Sequence, residues 1–537
     1  MPSLHGPEWD FPKLRASFGL EDDFKHVKDD KEDTEFFDVK FYPYDPVDAD
    51  PIFAVVSKKH VVICRLVQAA DNVLPCEIVR IIRDDDPDAL NCSCTWSKEP
   101  ETGRALLCVA GRDAKIKVYN VRDGTLHATL VGHGGEINDL ATSPDNPCVI
   151  ASASDDTTVR LWSLDPVHAV QPCICLLGGE GHSWNLLSVA FHSTGRYVLS
   201  AGHDQVINLW TLPDLPTEHV DRPIVVHYPH FSTSEVHHGM IDCVDFYGDL
   251  ILSKAGYEYK IVLWRIEGFD SRDPPPTPSS APTVHDPSRT TRSSFAPTSA
   301  PSQWMRLLEF DTLPERQPQF YLRFSLHHVY GQHPVLCFCN SVNQIMFWDM
   351  ARLTAYQDFI DALCDPGRDP TAKIAKPPWL LPAHHKMKAA PPPLDAEGEE
   401  AYAASIMRPI GHKDPFDIEK ILLQEGYNQQ TISQWQSRFD TSNPNKRIKP
   451  HKVEHLQGNQ FVGRQSAWSP NGSWCVVVGS RNHAAIFQRW AKSERSSTSR
   501  QNSNVPSDGQ SRSTPAMGGE SDVMSASASF AQTDEYM

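Results

Sequence analysis

Seven predicted strands in this sequence end in a bulky residue, and their spacing indicates the fold class. These residues are Cys64, Tyr119, Trp162, Trp210, Trp264, Trp348 and Trp490. The first four gaps are 43 to 55 residues long, and the last two shrink to about 47 and 45 residues once the stretches 267–303 and 354–450 are left out. A repeat of roughly 40–50 residues is typical of a propeller blade, which is too small to bury its own apolar face. The sequence therefore predicts an all-β chain whose seven blades close into one β-propeller.

Composition narrows the class of protein without naming a function. The 13 cysteines form no CxxC pair and no apolar leader follows Met1, so we expect reduced thiols in a cytosolic or nuclear protein without disulfides or zinc. All apolar runs are strand-sized, so we expect no membrane span. The net charge of −18 argues against duplex nucleic acid as the main partner and fits either a basic partner or simple solubility. We find no phosphate-binding glycine loop, HExxH or GxSxG, and so expect no enzyme, no cofactor and no small-molecule substrate.

The two clearest blades share a glycine-histidine start and a terminal tryptophan. They read 132-GHGGEINDLATSPDNPCVIASASDDTTVRLW-162 and 181-GHSWNLLSVAFHSTGRYVLSAGHDQVINLW-210, which is the pattern of WD40 repeats. Polar residues at matching positions predict a buried hydrogen-bonded chain in each blade. These residues are His133, Ser152 or Ser154, Asp156 and Trp162 in one blade, and His182, Asp204 and Trp210 in the next. We interpret them as structural.

The chain divides into an arm, a propeller and a tail. Residues 1–36 are predicted to complete the sheet of blade seven and close the ring, because an open strand edge is a pairing hazard. Residues 37–491 are predicted to form the propeller, with blade six starting at the strand 320–325. The Ser-rich residues 492–537 are predicted to be a disordered tail.

Two insertions interrupt the propeller. The Pro/Ser/Thr-rich stretch 267–303 has little apolar content and is predicted to be a surface loop. The insertion 354–450 begins with a Pro- and Ala-rich part that is predicted to be disordered, whereas its segment 415–439 has helical spacing interrupted at Gly426. It ends in the basic run 446-KRIKPHK-452. This insertion is either a docking arm with a nuclear-import or nucleic-acid patch, or a plain surface insertion.

Several strings are more specific than a generic blade requires. They are 50-DPIFAVVS-57, 105-ALLCVAGRDAKIKVYN-120, 132-GHGGEINDL-140, 178-GGEGH-182, 227-HYPHFSTSEVH-237, 241-IDCVDFYGDLILSK-254 and 320-FYLRFS-325. In this order they resemble the EED/extra sex combs family of Polycomb proteins, from about Val39 to Trp490. The resemblance implies a non-catalytic nuclear subunit of Polycomb repressive complex 2. It also implies three kinds of partner: an Enhancer of zeste-type methyltransferase subunit, further subunits of that complex, and a histone H3 tail carrying trimethyl-lysine.

The resemblance also implies an aromatic cage for the methylated lysine. Phe41, in 39-VKFYPY-44, matches the aromatic residue of the first blade, and Phe320 and Tyr321 match the aromatic pair before blade six. The remaining cage position, usually tyrosine, falls on Cys92 in 91-NCSCTW-96. A thiol is polarizable but has no aromatic face, so we expect weaker methyl-lysine binding, rescue by Tyr42 or Tyr44, or loss of the reading role.

Four polar residues match positions that hold the histone peptide in the family. They are Asn138, Asp242, Arg323 and Arg464. Each could instead belong to a structural network. Two other functions stay open: a scaffold of the same complex that does not read methyl-lysine, and a WD40 adaptor for another basic partner, such as a histone chaperone or ubiquitin-ligase scaffold.

Overall fold

Short runs of alternating apolar residues form seven sheets of four or five strands in a computed structural model of the chain. The structure describes residues 9–19, 35–67, 74–86, 89–283, 290–297, 299–313, 320–369, 374–382, 415–456 and 461–489. The innermost strands of the sheets lie against one another around a central channel, as in a ring. The predicted seven-bladed WD40 β-propeller is thereby confirmed, and the proposed tail 492–537 lies outside the described residues.

Each blade runs from an inner strand at the channel to an outer strand at the rim. Blade one contains Phe36–Phe41, Ile52–Ser57, His60–Leu66 and Cys76–Arg83; blade two contains Asn91–Lys98, Ala105–Gly111, Lys115–Asn120 and Leu126–Val131. Blade three contains Ile137–Thr142, Val149–Ser154, Val159–Ser163 and Cys173–Leu177; blade four contains Leu186–Phe191, Tyr197–Gly202, Ile207–Thr211 and Phe231–Thr233. Blade five contains Ile241–Tyr247, Leu250–Ala255, Lys260–Ile266 and Trp304–Asp311; blade six contains Ser325–His327, Val335–Cys339, Gln344–Asp349 and Lys452–His455. Blade seven contains Gly463–Trp468, Trp474–Gly479, His483–Gln488 and, as its outer strand, Lys13–Gly19.

The segment that leads into the N-terminal strand contacts a helix at the rim of blades six and seven. Lys13–Gly19 pairs antiparallel with His483–Gln488. Phe11 lies just before this strand. The guanidinium of Arg352 lies 4.3 Å from the centre of the Phe11 ring and 5.1 Å from that of the Trp379 ring. Arg352 belongs to helix α1 (Met350–Leu363), which directly follows the third strand of blade six. The division of the chain at residues 36 and 491 stays a prediction.

The described parts of the stretch 267–303 are more regular than the expected surface loop. Thr291–Ser293 pairs antiparallel with Phe231–Thr233 and becomes the fifth strand of blade four. Phe269 and Phe295 stack with ring centres 5.1 Å apart and pack against the core between blades four and five. The stretch is poor in apolar residues, but the two rings, the strand pairing and hydrogen bonds such as that from His230 to the Thr277 carbonyl hold its described parts on the propeller.

The insertion 354–450 packs on blades five and six through helices. Its first part continues helix α1, so the prediction of disorder there is wrong as far as Leu363; residues 383–414 lie outside the described part. The segment with helical spacing forms α2 (Pro415–Gln424) and α3 (Gln429–Phe439), separated by Gly426 at φ +88°. Trp435 and Phe439 of α3 join the core cluster of blades five and six.

The basic run at the end of this insertion belongs to the sheets. Arg447–Ile448 pairs parallel with Trp304–Asp311, and Lys452–His455 pairs with Gln344–Asp349. Lys446 forms an ion pair with Asp440. The backbone of the run is therefore held in the sheets of blades five and six, while the side chains of Arg447 and Lys449 are exposed, so the nucleic-acid or import patch stays a prediction.

Two strand positions differ from those predicted from the repeat. In blade seven the register pairs Phe487 with Cys475, as Trp162 pairs with Ile150 in blade three, so Phe487 takes the place assigned to Trp490, which lies outside the described residues. The inner strand of blade six begins at Ser325 rather than at residue 320. Tyr321, four residues before this strand, has φ +62°, a left-handed conformation that cannot continue a strand.

The predicted buried chain of hydrogen bonds is confirmed in blades three and four. The His133 ring lies 2.8 Å from Asp156 through Nδ1 and 2.6 Å from the Ser152 hydroxyl through Nε2, and the Trp162 indole N–H donates to the same hydroxyl at 2.8 Å. His182 contacts Asp204 and Ser200 in the same way, and Trp210 donates to Ser200. The chain ties the second and third strands of each blade to the segment that precedes the inner strand.

Blade five contains a third copy that the sequence analysis missed. His237 contacts Glu258 at 2.7 Å and Ser253 at 2.8 Å, and Trp264 donates to Ser253. Glutamate replaces the aspartate of the WD40 pattern here, which is why the motif was not recognised. Within the described ranges, none of the helices combines the length and apolar character needed to cross a membrane.

The third copy predicts a specific dependence of stability on pH. Burial alone would raise the pKa of Glu258, but the contacts with His237, the backbone N–H of His238 and the charge of Lys260 together lower it from 4.5 to about 2, so the folded state favours the carboxylate. This contribution to the free energy of unfolding is complete above pH 4.5 and is lost as the pH falls toward 2. We expect Glu258→Gln to be less stable than the wild type at neutral pH, by a difference that shrinks below pH 4.5. Urea unfolding at a series of pH values measures this difference. Glu101→Gln, in an exposed turn, is the control, and a gap between wild type and Glu258→Gln that does not change with pH would contradict the assignment.

Candidate functional site

A ring of β-bulges surrounds one mouth of the central channel. In six blades the pairing of the inner strand skips its second residue, which is left without a partner opposite. The skipped residues are Phe37, Cys92, Asn138, Leu187, Asp242 and Arg464. A bulge changes the direction of its side chain relative to the regular strand, and bulges are common beside functional sites. The ring gathers residues from distant parts of the sequence at one end of the channel.

A pocket of about 360 Å³ opens at this mouth. Three of its walls are the aromatic rings of Phe37, Phe320 and Tyr321, and Cys92 supplies a fourth. The remaining lining residues are Lys58, Leu90, Asn91, Arg112, Glu136, Asn138 and Arg464. The structure thus brings together three of the four predicted cage residues, and it adds Phe37.

Phe41 does not line this pocket. Its ring is 5.4 Å from that of Phe53, and it is buried in the core between blades one and seven. The bulge after Phe36 places Phe37 at the mouth instead. One signal could have identified it: Cys92, Asn138, Asp242 and Arg464 are all second residues of inner strands, and the same position in blade one is Phe37.

Tyr321 is held on three sides. Its hydroxyl donates a 2.6 Å hydrogen bond to the Asn138 carbonyl, and its backbone N–H donates to Asp242 at 2.8 Å. The guanidinium of Arg323 lies 4.5 Å from the centre of its ring. Burial raises the pKa of the Tyr321 phenol, so the hydroxyl keeps the proton that it donates. This wall of the pocket is therefore formed before any ligand arrives.

Asp242 supports the pocket from below. It is fully buried, and both carboxylate oxygens lie 3.0 Å from the ammonium of Lys254, itself only 4% exposed. One oxygen also accepts the N–H of Tyr321. The expected pairing of Asp242 with a basic residue of a bound peptide is not available, because the carboxylate is already neutralised inside the protein.

Arg323 is also an internal residue. It is 4% exposed, pairs with Asp139 at 2.6 Å and donates to the carbonyls of Leu187 and Asn138. It crosses from blade six to blades three and four and closes the floor of the mouth. It does not line the pocket, although the family match assigned it a peptide contact.

Asn138 and Arg464 do line the pocket. The Asn138 amide donates to Asp155 and to the Leu186 carbonyl, both at 2.7 Å. Arg464 donates to Glu35 at 2.8 Å and to the Phe320 carbonyl at 3.2 Å. Both side chains therefore fix the rim, and Arg464 anchors the backbone of an aromatic wall.

Cys92 forms a neutral wall. Its thiol lies 3.2 Å from the Ile137 carbonyl, and burial raises its pKa to about 12. At neutral pH the sulfur therefore carries no charge. It offers a polarizable surface to a ligand but neither an anion nor an aromatic face. Tyr42 and Tyr44, considered as replacements, pack between blades one and two and do not line the pocket.

The chain is similar in sequence to known proteins. The family described as WD domain, G-beta repeat matches residues 124–163 and 173–211. The chain is 46% identical to Polycomb protein EED of Chaetomium thermophilum over 92% of its own length and 98% of the relative's. It is 30% identical to Polycomb protein esc of Drosophila melanogaster, covering 47% of this chain and 60% of that protein.

Solved structures give the same result. A chain of the apo C. thermophilum Polycomb repressive complex 2 in an autoinhibited state has a TM-score of 0.78 and 48% identity, covering 91% of this chain and all of that one. A chain of the same complex bound to H3K27me3 also has a TM-score of 0.78, with 49% identity over 90% of this chain and 99% of that one.

The buried pair beneath the pocket gives a prediction for stability. Asp242→Ala leaves the Lys254 cation buried without its carboxylate, which we expect to cost about 3–5 kcal/mol of unfolding free energy. Replacing the cation as well, in Asp242→Ala/Lys254→Met, should recover most of this loss. Thermal unfolding compares the three proteins. A wild-type melting temperature in the single variant would show that Asp242 is not part of the supporting structure.

Proposed function

The chain belongs to the EED/extra sex combs family of Polycomb proteins, and on this basis we propose that it is a non-catalytic subunit of a nuclear Polycomb repressive complex 2. In this proposal the propeller is a scaffold for an Enhancer of zeste-type methyltransferase subunit and for other subunits of the complex. The bulge-ring pocket reads trimethyl-lysine on the histone H3 tail. The protein itself carries out no chemical step.

The three aromatic walls of the pocket are the observation that supports reading most strongly. A trimethylammonium group keeps its positive charge but has no N–H to donate, so aromatic faces suit it better than carbonyls alone. Each well-placed ring contributes roughly 0.5–2 kcal/mol through cation–π attraction. Phe37, Phe320 and Tyr321 surround one cavity, and the neutral Cys92 adds no charge that would bind other cations non-selectively.

In this proposal, the rigidity of the channel mouth couples methyl-lysine binding to the state of the catalytic subunit. Tyr321 and Arg323 connect the pocket to Asp242, Asp139 and the carbonyls of blades three and four. Binding of the product lysine at this mouth favours an active state of a methyltransferase bound elsewhere on the propeller, if that state holds the mouth in its ligand-bound form. Couplings of this kind typically amount to about 1–3 kcal/mol.

The missing fourth ring gives the first functional test. We expect the full chain to bind a trimethylated histone H3 peptide more tightly than the unmethylated peptide, and Cys92→Tyr to tighten the trimethylated complex by roughly 2- to 30-fold, as expected for one added ring. Isothermal titration calorimetry with both peptides measures this preference. Cys92→Ser, which keeps the size and lacks a ring, is the control.

This experiment also distinguishes the methyl-lysine reader from the two alternative functions. No preference in the wild type but a preference in Cys92→Tyr would indicate a scaffold of the complex that has given up reading. No preference in either protein, together with failure to co-purify an Enhancer of zeste-type subunit, would instead favour an adaptor for another basic partner.

Phe37 and Phe41 provide a matched pair of substitutions. Phe37→Ala removes a wall of the pocket and should weaken binding of the trimethylated peptide at least several-fold with little change in melting temperature. Phe41→Ala opens a cavity in the core and should cost about 3–5 kcal/mol of stability, without a direct effect on the ligand. Calorimetry and thermal unfolding of both variants distinguish the roles. The reverse pattern would return the cage position to Phe41.

A further inference from the structure

Three exposed aromatic side chains lie on the face of the propeller that carries the pocket. In the described part of the chain, four aromatic residues are strongly exposed: Trp184 at 60%, Tyr257 at 49%, Phe320 at 44% and Tyr330 at 77%. The first three belong to consecutive blades, four, five and six. By contrast, Trp162, Trp210, Trp264 and Trp348 are at most 1% exposed.

Backbone hydrogen bonds place these three residues at the bulge end of their blades. Trp184 is followed by Asn185, whose carbonyl accepts the N–H of His203 just before the bulged inner strand of blade four. Tyr257 follows Gly256, whose N–H donates to the Met240 carbonyl just before the inner strand of blade five. Phe320 is already part of the pocket.

The turn that carries Tyr257 is continuous with the pocket wall. A Cβ atom at Gly256 would lie 3.3 Å from the Cβ atom of Phe320, so the blade-five turn packs closely against this aromatic residue. Farther around the mouth, the Trp184 ring lies 6.0 Å from the His203 ring at an angle of 31°. We call Phe320, Tyr257 and Trp184 the aromatic arc.

Tyr330 lies at the other end of the channel. It follows the inner strand of blade six, which runs away from the pocket, and it lines a separate cavity of about 590 Å³. The arc is therefore a property of one face, and Tyr330 offers a matched exposed ring on the opposite side.

We propose that the aromatic arc holds the residues that flank the methyl-lysine in the same basic peptide. This inference rests on the reading role proposed above. Lysine and arginine side chains of the flank stack on the rings of Tyr257 and Trp184 while the methylated lysine occupies the pocket. The arc starts at a pocket wall, and the protein carries a net charge of −18, with Glu180 exposed four residues before Trp184. A cationic extended chain matches both the rings and the charge.

The test varies peptide length against ring identity. Three trimethylated histone H3 peptides are titrated into the full chain: one with two residues on each side of the methyl-lysine, one extended toward the N-terminus and one extended toward the C-terminus. Trp184→Ala and Tyr257→Ala should each weaken binding of at least one extended peptide by roughly two- to five-fold, the range of an exposed cation–π contact. Both should bind the short peptide as the wild type does. Replacing the flanking Lys and Arg residues by Gln should remove the difference, and Tyr330→Ala should behave as the wild type with every peptide.

The outcomes separate this inference from the function on which it rests. A wild type that does not distinguish trimethylated from unmethylated peptides would overturn the reading role and the arc together. A wild type that reads the mark, with Trp184→Ala and Tyr257→Ala indistinguishable from it on all peptides, would overturn the arc alone. Equal weakening of short and extended peptides would also overturn it, because the rings would then act on the pocket rather than on the flank.

Discussion

No blade of this propeller can bury its own two faces, and this constraint organises the rest of the structure. Each sheet is covered by its neighbours, so the ring is stable only when it is closed, and the tryptophans that end the third strands of blades three to six are buried as a result. The same constraint brings inner strands from all parts of the sequence to one channel. A binding site at the channel mouth therefore draws on residues from Glu35 to Arg464 without any local motif.

The polar residues of the mouth are used mainly inside the protein. Asp242 is neutralised by Lys254, and Arg323 by Asp139, each with additional hydrogen bonds that satisfy a buried charge. Removing either partner alone would leave an uncompensated ion. The pocket itself presents three rings, a thiol and an amide, which suit a cation that cannot donate hydrogen bonds. Of the charged residues that also line it, Arg112 is paired with Glu136, and Arg464 with Glu35.

The sequence was sufficient for the fold because the repeat is periodic and its turns and tryptophans recur at fixed spacing. Prediction from the sequence was weaker where a bulge or a replaced residue interrupted the regular repeat. Because of the bulge after Phe36, Phe37 lines the pocket in place of the predicted Phe41. The third hydrogen-bonded chain was not predicted because Glu258 stands where the repeat has an aspartate. Composition did not indicate that Phe269 and Phe295 anchor parts of 267–303, or that Arg447–Ile448 of the basic run pairs with a strand of blade five. The arrangement of Asp242 and Arg323 as internal pairs depends on contacts between blades that no single-strand pattern contains.

The strand Lys13–Gly19 has a consequence for how the protein is made. Its partner His483–Gln488 is synthesised more than 460 residues later. The ring cannot close until blade seven has been synthesised, so Lys13–Gly19 stays without this partner strand until then. Contacts this distant in sequence fold slowly and leave strand edges open in the meantime. The need to pair with Lys13–Gly19 thus makes the synthesis of His483–Gln488 the point after which the nascent protein no longer exposes this open edge to other chains.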